Sequence, residues 1–280
     1  MRAALITVAH GRHDHLRRQR DAIARLSRPA DQHIVVAIDD PEIAGLVEPH
    51  TTVVSIGPGA AGLPLAAARN AGAYAARAGG AELLVFLDVD CLPSIGLVAA
   101  YAAAAGSEVR DSLLCGPVAY LPPPPPGGYD LDQLDRYPFH PGRPAPAPGA
   151  RQGGGDHRLF WSLSFAVTVP VWDRIGGFCE RYTGYGAEDT DFAMLARADG
   201  IDLTWVGGAA AYHQWHPTVS PPLPHLDDLI RNGRVFADRW GWWPMEGWFA
   251  QFFDLGLVRP GDNGEGWIRT AGPTLAVSAP

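Results

Sequence analysis

A run of five apolar residues that ends at two aspartates constrains the fold more than any other feature. The run is Leu83–Leu87, and Asp88 and Asp90 follow it. Such an unbroken run is typical of a strand buried on both faces of a parallel sheet. The carboxylates would then lie at the strand's carboxyl end, where open α/β sheets bind ligands. Residues two apart in an extended chain point the same way, so we expect both aspartates to face one divalent cation while Val89 turns inward.

Strand patterns and helix patterns alternate along the first part of the chain. Strands are predicted at 5–8, 33–38, 52–56 and 113–119, and helices at 16–26, 63–78 and up to Ala105. This regular alternation predicts an α/β protein with a doubly wound, mostly parallel sheet.

The chain divides into four predicted segments. Residues 1–120 hold the alternating pattern, and 121–158 are so rich in Pro and Gly that they indicate a lid, a binding loop or a disordered insert. Order returns in 159–220, with a strand predicted to run across the ligand side of the sheet, then a turn, an acidic helix and a last strand pair. Residues 221–280 combine an amphipathic helix with an aromatic cluster, most of which we expect to pack on the core. An exposed part would mark a partner, acceptor or peripheral membrane-surface site.

Composition excludes several classes of protein. The net charge of -8 argues against nucleic-acid binding. All 22 basic residues are arginine, so Schiff-base chemistry and a Walker-type phosphate loop are excluded. We expect neither a signal peptide nor a transmembrane segment. The three cysteines are predicted to be buried free thiols in a reducing compartment, which favours a cytoplasmic location.

The second half of the chain supplies further candidate site residues. Glu188 and Asp189 follow Gly184–Gly186, whose glycines suit a backbone that comes close to a ligand, although acids are also normal in a helix's first turn. His213 and His216 follow the last predicted strand. Either imidazole could complete a metal site with the aspartates, whereas a lone histidine there would more often lie on the surface. Trp161 is interpreted as either a core residue or a sugar-stacking platform.

Six motifs in order resemble the family 2 type glycosyltransferases of the GT-A fold. They are AHGR, IDDPE, AARNAG, FLDVDC, GGFCERYTGYGAEDTDF and YHQWHP, and together they span roughly residues 3 to 217. The C-terminal half is also similar to the β-1,4-galactosyltransferases. The resemblance implies a Rossmann-like nucleotide-binding half and an acceptor-side half of the same domain.

The resemblance also implies a site for a nucleotide-sugar donor. Asp39 or Asp40 would contact the uracil, Arg69 would lie near the ribose or diphosphate, and Asp88 would touch the ribose and the metal-bound region. Tyr185 stands where the galactosyltransferases place a tryptophan against the sugars, because this chain reads YGAED where they read WGGED. The full set of implied donor-site residues is Ala9, His10, Arg12, Asp39, Asp40, Arg69, Asp88, Val89 and Tyr185.

Metal and catalytic roles follow from the same resemblance. Asp90 and His213, with Asp88, would bind the metal, and a nitrogen ligand beside oxygens favours Mn²⁺ over Mg²⁺. Asp189 would be the general base that deprotonates the acceptor hydroxyl, and we expect the helix start to keep it ionised. Glu188 would hold the acceptor or donor sugar. A base opposite the leaving group implies inversion at the transferred sugar.

The expected partners are therefore a nucleoside-diphosphate sugar, with UDP the expected nucleotide, and an acceptor bearing a hydroxyl. One alternative is a non-catalytic nucleotide-sugar-binding module of the same fold. Another is a haloacid-dehalogenase-like phosphohydrolase, which normally needs a lysine and a Thr or Val where this chain has Leu92.

Overall fold

Alternating strands and helices build one large sheet with helices on both faces. The computed structural model describes residues 1–262 and 266–270. The strands are β1 (Ala3–Ala9), β2 (Gln32–Ile38), β3 (Thr52–Ile56), β4 (Leu83–Leu87), β5 (Cys91–Pro93), β6 (Leu113–Cys115), β7 (Val118–Tyr120), β8 (Arg151–Gln152), β9 (Ser164–Thr168), β10 (Leu203–Val206), β11 (Ala211–His213), β12 (Val258–Pro260) and β13 (Trp267–Arg269). The helices are α1 (His13–Ile23), α2 (Leu65–Ala78), α3 (Leu97–Ala105), α4 (Val169–Ile175), α5 (Glu188–Ala198), α6 (Leu226–Trp240) and α7 (Glu246–Asp254).

The central sheet has eight strands in the order β3-β2-β1-β4-β9-β6-β10-β8. β1 to β4 are parallel, and β9 pairs antiparallel with both β4 and β6, so β6 and β10 run in the same direction as β4. Only β8 and β9 oppose the rest of this sheet. The prediction of a doubly wound, mostly parallel sheet is confirmed.

Helices α1 and α2 cover opposite faces of this sheet. Leu16 of α1 lies in an apolar cluster with Val35 and Ala37 of β2. On α2, a Cβ at Gly72 would lie 2.5 Å from the Ile6 side chain and 3.1 Å from that of Val36. Successive residues of β2 point to opposite faces, so the two helices lie on the two sides of the sheet.

A second sheet of three strands, β5-β11-β7, corrects two predictions. The strand predicted at 113–119 is broken at Gly116 and Pro117 into β6 and β7, which belong to different sheets. A Cβ at Gly116 would lie 1.8 Å from the carbonyl oxygen of Ala209, so only glycine allows this close crossing. The predicted pair at 203–206 and 209–212 likewise separates into β10 of the central sheet and β11 of the small one.

One expectation for residues 159–177 is wrong and another is confirmed. The strand predicted to run across the ligand side is β9, which lies inside the central sheet, paired with β4 and β6, and all five of its residues are buried. The chain turns at Gly176 and Gly177 as predicted, with φ of 86° and 82°, although the residues before them form α4, which the sequence did not predict.

The insert at 121–158 packs on the rest of the protein. Leu121 and Leu134 are buried against Leu92 and Tyr212 of the small sheet, and β8 forms an edge of the central sheet. The disordered reading of this insert is therefore wrong.

The C-terminal segment largely matches expectation. Phe249 and Phe252 of α7 are buried, while Trp242 and Phe253 are exposed.

Cys91 and Cys115 are buried free thiols as predicted, but Cys179 is partly exposed. In the described part of the chain, no helix is long and apolar enough to cross a membrane.

Candidate active site

Three potential metal ligands meet at the carboxyl end of the sheet. Asp90 Oδ2 lies 3.6 Å from His213 Nε2 and 3.7 Å from His216 Nε2, and one ligand atom from each residue falls within 4.8 Å of the others. All three side chains are less than one fifth exposed. One carboxylate oxygen and two imidazole nitrogens form a ligand set that can hold a divalent metal ion. The sequence did not decide which of the two histidines completes the metal site, and in the structure both lie close to Asp90.

The small sheet brings these residues together. β11 pairs antiparallel with β5 so that His213 lies opposite Cys91, the residue after Asp90. The backbone N–H of Gln214 donates to the Asp90 carbonyl at 2.7 Å. The ring of Tyr120 on β7 lies against His213, with 4.8 Å between ring centroids.

The expectation that an extended chain points Asp88 and Asp90 in the same direction is wrong. The chain is not extended there, because the N–H of Cys91 donates to the Asp88 carbonyl at 2.9 Å and closes a turn. The turn directs Asp90 to the histidines, while Asp88 Oδ1 lies 3.2 Å from Arg69. Val89 is buried, as expected.

The side chain of Gln19 on α1 holds this turn in place through hydrogen bonds. Its side-chain amide donates to the carbonyls of Asp88 at 2.7 Å and Cys91 at 2.8 Å, and its oxygen accepts from the Thr7 hydroxyl at 3.1 Å. Sequence reasoning missed this residue. The available signal was a polar side chain three residues after Leu16 on the apolar stripe of α1.

A buried arginine joins the two halves of the site. Arg69 of α2 is only 4% exposed, and it lies 3.2 Å from both Asp88 Oδ1 and Glu188 Oε1. Burial raises the pKa of Asp88 to about 6, with Arg69 opposing the shift and Asp90 adding to it, although 31% of the side chain still meets solvent. Sequence reasoning assigned Arg69 and Glu188 separate sugar or nucleotide contacts and did not foresee their pairing.

Asp189 follows Glu188 in the first turn of α5. Burial, reinforced by the negative charge of Glu188, raises the pKa of Asp189 to about 7. Its Oδ1 accepts from the backbone N–H of Thr190 at 2.7 Å, which only partly offsets the shift. Desolvation thus outweighs the helix dipole, so the helix start alone does not keep this group fully ionised at neutral pH. A carboxylate with a pKa near neutrality suits general-base chemistry.

Helix α6 holds the glycine loop that leads to Asp189. Asn232 is fully buried, and its amide nitrogen donates to the carbonyls of Thr183, Tyr185 and Gly186 at 2.9 to 3.1 Å. Asp228 accepts from the N–H of Tyr185 at 3.1 Å. No local sequence signal marked either α6 residue as part of the site.

The ring of Tyr185 lies at the rim of the site. It stacks on His225 with 4.5 Å between centroids, and 39% of the residue is exposed. Partial burial and the charges of Asp189, Glu188 and Asp90 raise its pKa to about 12.

The predicted uracil contacts differ in their surroundings. Asp40 Oδ2 accepts from the N–H of Gly11 at 2.8 Å and lies 2.8 Å from His13 Nε2, whereas Asp39 is exposed. His10 is also exposed, and its Nδ1 lies 2.8 Å from the Ile38 carbonyl.

The remaining residues of the predicted nucleotide pocket lie beside the metal ligands. Arg12 Nη1 lies 3.8 Å from Asp90 Oδ2, and Ala9 is buried at the end of β1.

Backbone strain concentrates at this edge of the sheet. In the described ranges, positive φ at non-glycine residues occurs at Arg12, Asp39, Ala187 and Met245, and the first three belong to or adjoin the predicted site. Ala187, with φ of 76°, stands where the galactosyltransferase motif has glycine. Such conformations cost about 1–3 kcal/mol each and cluster at functional sites.

The fold matches solved structures of GT-A glycosyltransferases. GalNAc-T7 with UDP, GalNAc and Mn²⁺ superposes with a TM-score of 0.56 at 14% identity, over 83% of this chain and 47% of that one. S. aureus TarS 1–349 superposes with a TM-score of 0.54 at 14% identity in its complex with UDP, over 85% of this chain and 64% of that one. Its complex with UDP-GlcNAc gives 0.55 at 13% identity, over 85% and 66%.

This chain thus spans between 47% and 66% of the length of those three chains. Comparison with protein-family models and with curated proteins gave no match. The structural likeness establishes the GT-A fold. The family 2 type and the similarity to β-1,4-galactosyltransferases remain predictions.

Proposed function

We propose that the protein is a metal-dependent, inverting glycosyltransferase that moves a sugar from a nucleoside-diphosphate sugar to an acceptor hydroxyl. The observation that carries the proposal is the grouping of Asp90, His213 and His216 at the ligand edge of a GT-A sheet. Arg69 supports it further, because its pairing with Asp88 and Glu188 links this group to the helix that carries Asp189.

Asp90, His213 and His216 would hold the divalent ion. When bound, the ion would supply positive charge that stabilises the leaving diphosphate. Mn²⁺ is the proposed ion, since the ligand set includes nitrogen and GalNAc-T7 was solved with Mn²⁺. Asp88 stays a proposed contact to the ribose and the metal-bound region.

The donor pocket is proposed to take UDP. Asp39 is the better candidate for the uracil contact, because the Asp40 carboxylate is already engaged by Gly11 and His13. Ala9, His10, Arg12 and Val89 would complete the pocket. UDP is proposed because GalNAc-T7 and TarS were solved with UDP or a UDP-sugar.

Asp189 is the proposed general base. A hydroxyl that attacks the sugar must lose its proton, and a carboxylate with a pKa of about 7 can accept it near neutral pH. Glu188 is held by Arg69 and is proposed to position a sugar hydroxyl, with Tyr185 forming a wall of the sugar site. Attack from the side opposite the leaving diphosphate inverts the anomeric centre.

The GT-A fold contradicts the haloacid-dehalogenase-like alternative. The non-catalytic binding module is the rival that shares this fold, and it predicts ligand binding without turnover. Hydrolysis of a panel of UDP-sugars, measured as UDP release with Mn²⁺ and again with EDTA, separates the two.

We expect release of UDP from at least one UDP-sugar, dependent on Mn²⁺ and abolished by Asp90→Ala. Asp238→Ala, a change of the same type on α6 and outside the metal group, should keep the rate of the unaltered protein. UDP binding without any turnover would favour the binding module. Release unaffected by Asp90→Ala would refute the proposed metal site.

A further inference from the structure

A basic cleft next to the metal ligands extends beyond the residues that the proposed reaction uses. It measures about 550 Å³ and lies between the start of α1 and the segment that follows β11. Most of its lining side chains are cationic or imidazole groups, namely Arg12, His13, His15, Arg17, Arg18 and His216.

The charge of this cleft is opposite to that of the chain, whose net charge is -8. Its only acidic lining residue is Asp14, which is 73% exposed and pairs with Arg17 at 2.7 Å. Arg18 has no carboxylate within 4 Å in the described part of the molecule. Positive charge gathered in a concave site raises the local concentration of anions.

The cleft meets the proposed donor pocket at Arg12 and the metal group at His216, but His15, Arg17 and Arg18 on α1 have no role in the proposed reaction. Its basic wall belongs to α1, whereas Arg69 belongs to α2 on the opposite face. None of Asp39, Arg69 and Asp88 lines the cleft. It nevertheless adjoins the metal ligands, because Arg12 and His216 both come within 3.8 Å of Asp90.

An aromatic residue forms part of the outer wall. Trp215 is 43% exposed, and its backbone N–H donates to the hydroxyl of Tyr129 at 3.1 Å. Pro124 also lines the cleft, so the insert at 121–158 contributes to this wall. The volume lies within the range for small-molecule sites, so the cleft can hold more than a single phosphate, with the indole face against the remainder of the ligand.

We propose that this cleft binds a phosphate group that is distinct from the diphosphate of the donor. Arginine guanidinium groups suit this ligand because they donate two parallel hydrogen bonds to phosphate oxygens. The phosphate belongs either to a phosphorylated acceptor or to free phosphate. The proposal that the phosphate belongs to an acceptor rests on the proposed glycosyltransferase function, whereas the proposal of an anion site does not.

Isothermal titration calorimetry tests the site with two probes, inorganic phosphate and glycerol 3-phosphate. Each is titrated into metal-free protein and into protein saturated with Mg²⁺ and UDP. We expect similar phosphate affinity in both states. Tighter binding of glycerol 3-phosphate identifies a phosphorylated ligand, and tighter binding of inorganic phosphate identifies the free anion.

The paired variant Arg17→Gln with Arg18→Gln should weaken phosphate binding about tenfold or more while leaving UDP affinity unchanged. Arg17→Lys with Arg18→Lys should restore part of the affinity, since charge is kept without the planar fork. Arg110→Gln with Arg158→Gln removes the same charge from exposed positions outside the cleft and should have no effect.

Displacement of phosphate by UDP would overturn the proposal, because the cleft would then be the seat of the donor diphosphate. Absence of saturable phosphate binding, or unchanged binding by the Arg17 and Arg18 glutamine variant, would also overturn it. The UDP titration is read separately. If UDP fails to bind while phosphate binds, the proposed function fails and the cleft stands.

Discussion

Arg69 and Arg143 are each 4% exposed, but their electrostatic surroundings are opposite. Arg69 lies between two carboxylates in the candidate site. Arg143, in the insert, has no hydrogen-bond partner for any guanidinium nitrogen in the described ranges, and it lies between the rings of Trp161 and Trp205, 4.8 Å from each centroid. Burial lowers the pKa of Arg143 and raises that of the nearby Cys115 thiol to about 12, so no thiolate balances its charge.

Arg69 neutralises the charge of two carboxylates, whereas no anion neutralises the charge of Arg143. Removing Arg69 would leave the buried Glu188 and the partly buried Asp88 without a partner, which costs far more than the pairing contributes while intact. Removing Arg143 would leave no charge behind. Its contacts with two indoles are worth about 0.5–2 kcal/mol each, which offsets only part of the cost of burying its own charge.

The largest expected effect lies beside Arg69, at the proposed base. Asp189→Asn should lower sugar transfer by about 10²–10⁴-fold, because the amide cannot accept the proton of the acceptor hydroxyl. UDP affinity should stay nearly unchanged. Initial rates with saturating UDP-sugar and Mn²⁺ measure the effect, and a variant that keeps the original rate would show that another group is the base.

Arg69→Met tests the compensated arginine. We expect a loss of about 3–5 kcal/mol in the free energy of unfolding at pH 8, since Glu188 is left charged and buried and Asp88 charged and partly buried. Urea denaturation measures it, and the loss should shrink toward pH 5 as the pKa of Asp88 is passed and its charge is neutralised. A loss equal to that of the matching Arg143 variant would contradict the comparison.

The pH dependence of transfer reports on the carboxylates around Arg69. Because the base works only when ionised, a pKa of about 7 for Asp189 predicts that kcat/KM rises about tenfold per pH unit up to pH 7 and levels off above it. Arg143→Met should leave this profile in place. A flat profile from pH 5 to 8 would contradict the raised pKa.

The smallest expected effect is at the uncompensated arginine. Arg143→Met should change the free energy of unfolding by no more than about 1 kcal/mol, because the apolar stem and the indole contacts of the side chain are largely kept while a buried charge is removed. Urea denaturation at pH 8, alongside Arg69→Met, gives the comparison directly. A loss of about 3 kcal/mol or more would show that Arg143 neutralises an anion.

Local patterns were sufficient for much of the architecture and for the proximity of one pair of candidate metal ligands. The apolar run before Asp88 and the strand that ends at His213 both point to the ligand edge of the sheet, and the structure brings Asp90 and His213 together there. The four-segment division of the chain and the cytoplasmic location remain predictions.

Other features depend on contacts between residues far apart in the chain. Arg69 and Glu188 are 119 residues apart, and neither neighbourhood carries a mark of the other. The placement of Arg143 between two tryptophans likewise requires the insert to fold back on the core. The division into two sheets likewise depends on the close contact between Gly116 and the Ala209 backbone, which a strand pattern does not reveal.

The amide of Asn232 has a practical consequence for truncation. The recognisable motifs end at Pro217, so a fragment cut there would retain every predicted ligand and acid. It would lack the side chain that donates to the backbone carbonyls of Thr183, Tyr185 and Gly186 in the loop before Asp189. The smallest fragment that keeps the candidate site intact therefore extends beyond the last motif, to a point within or after the helix that carries Asn232.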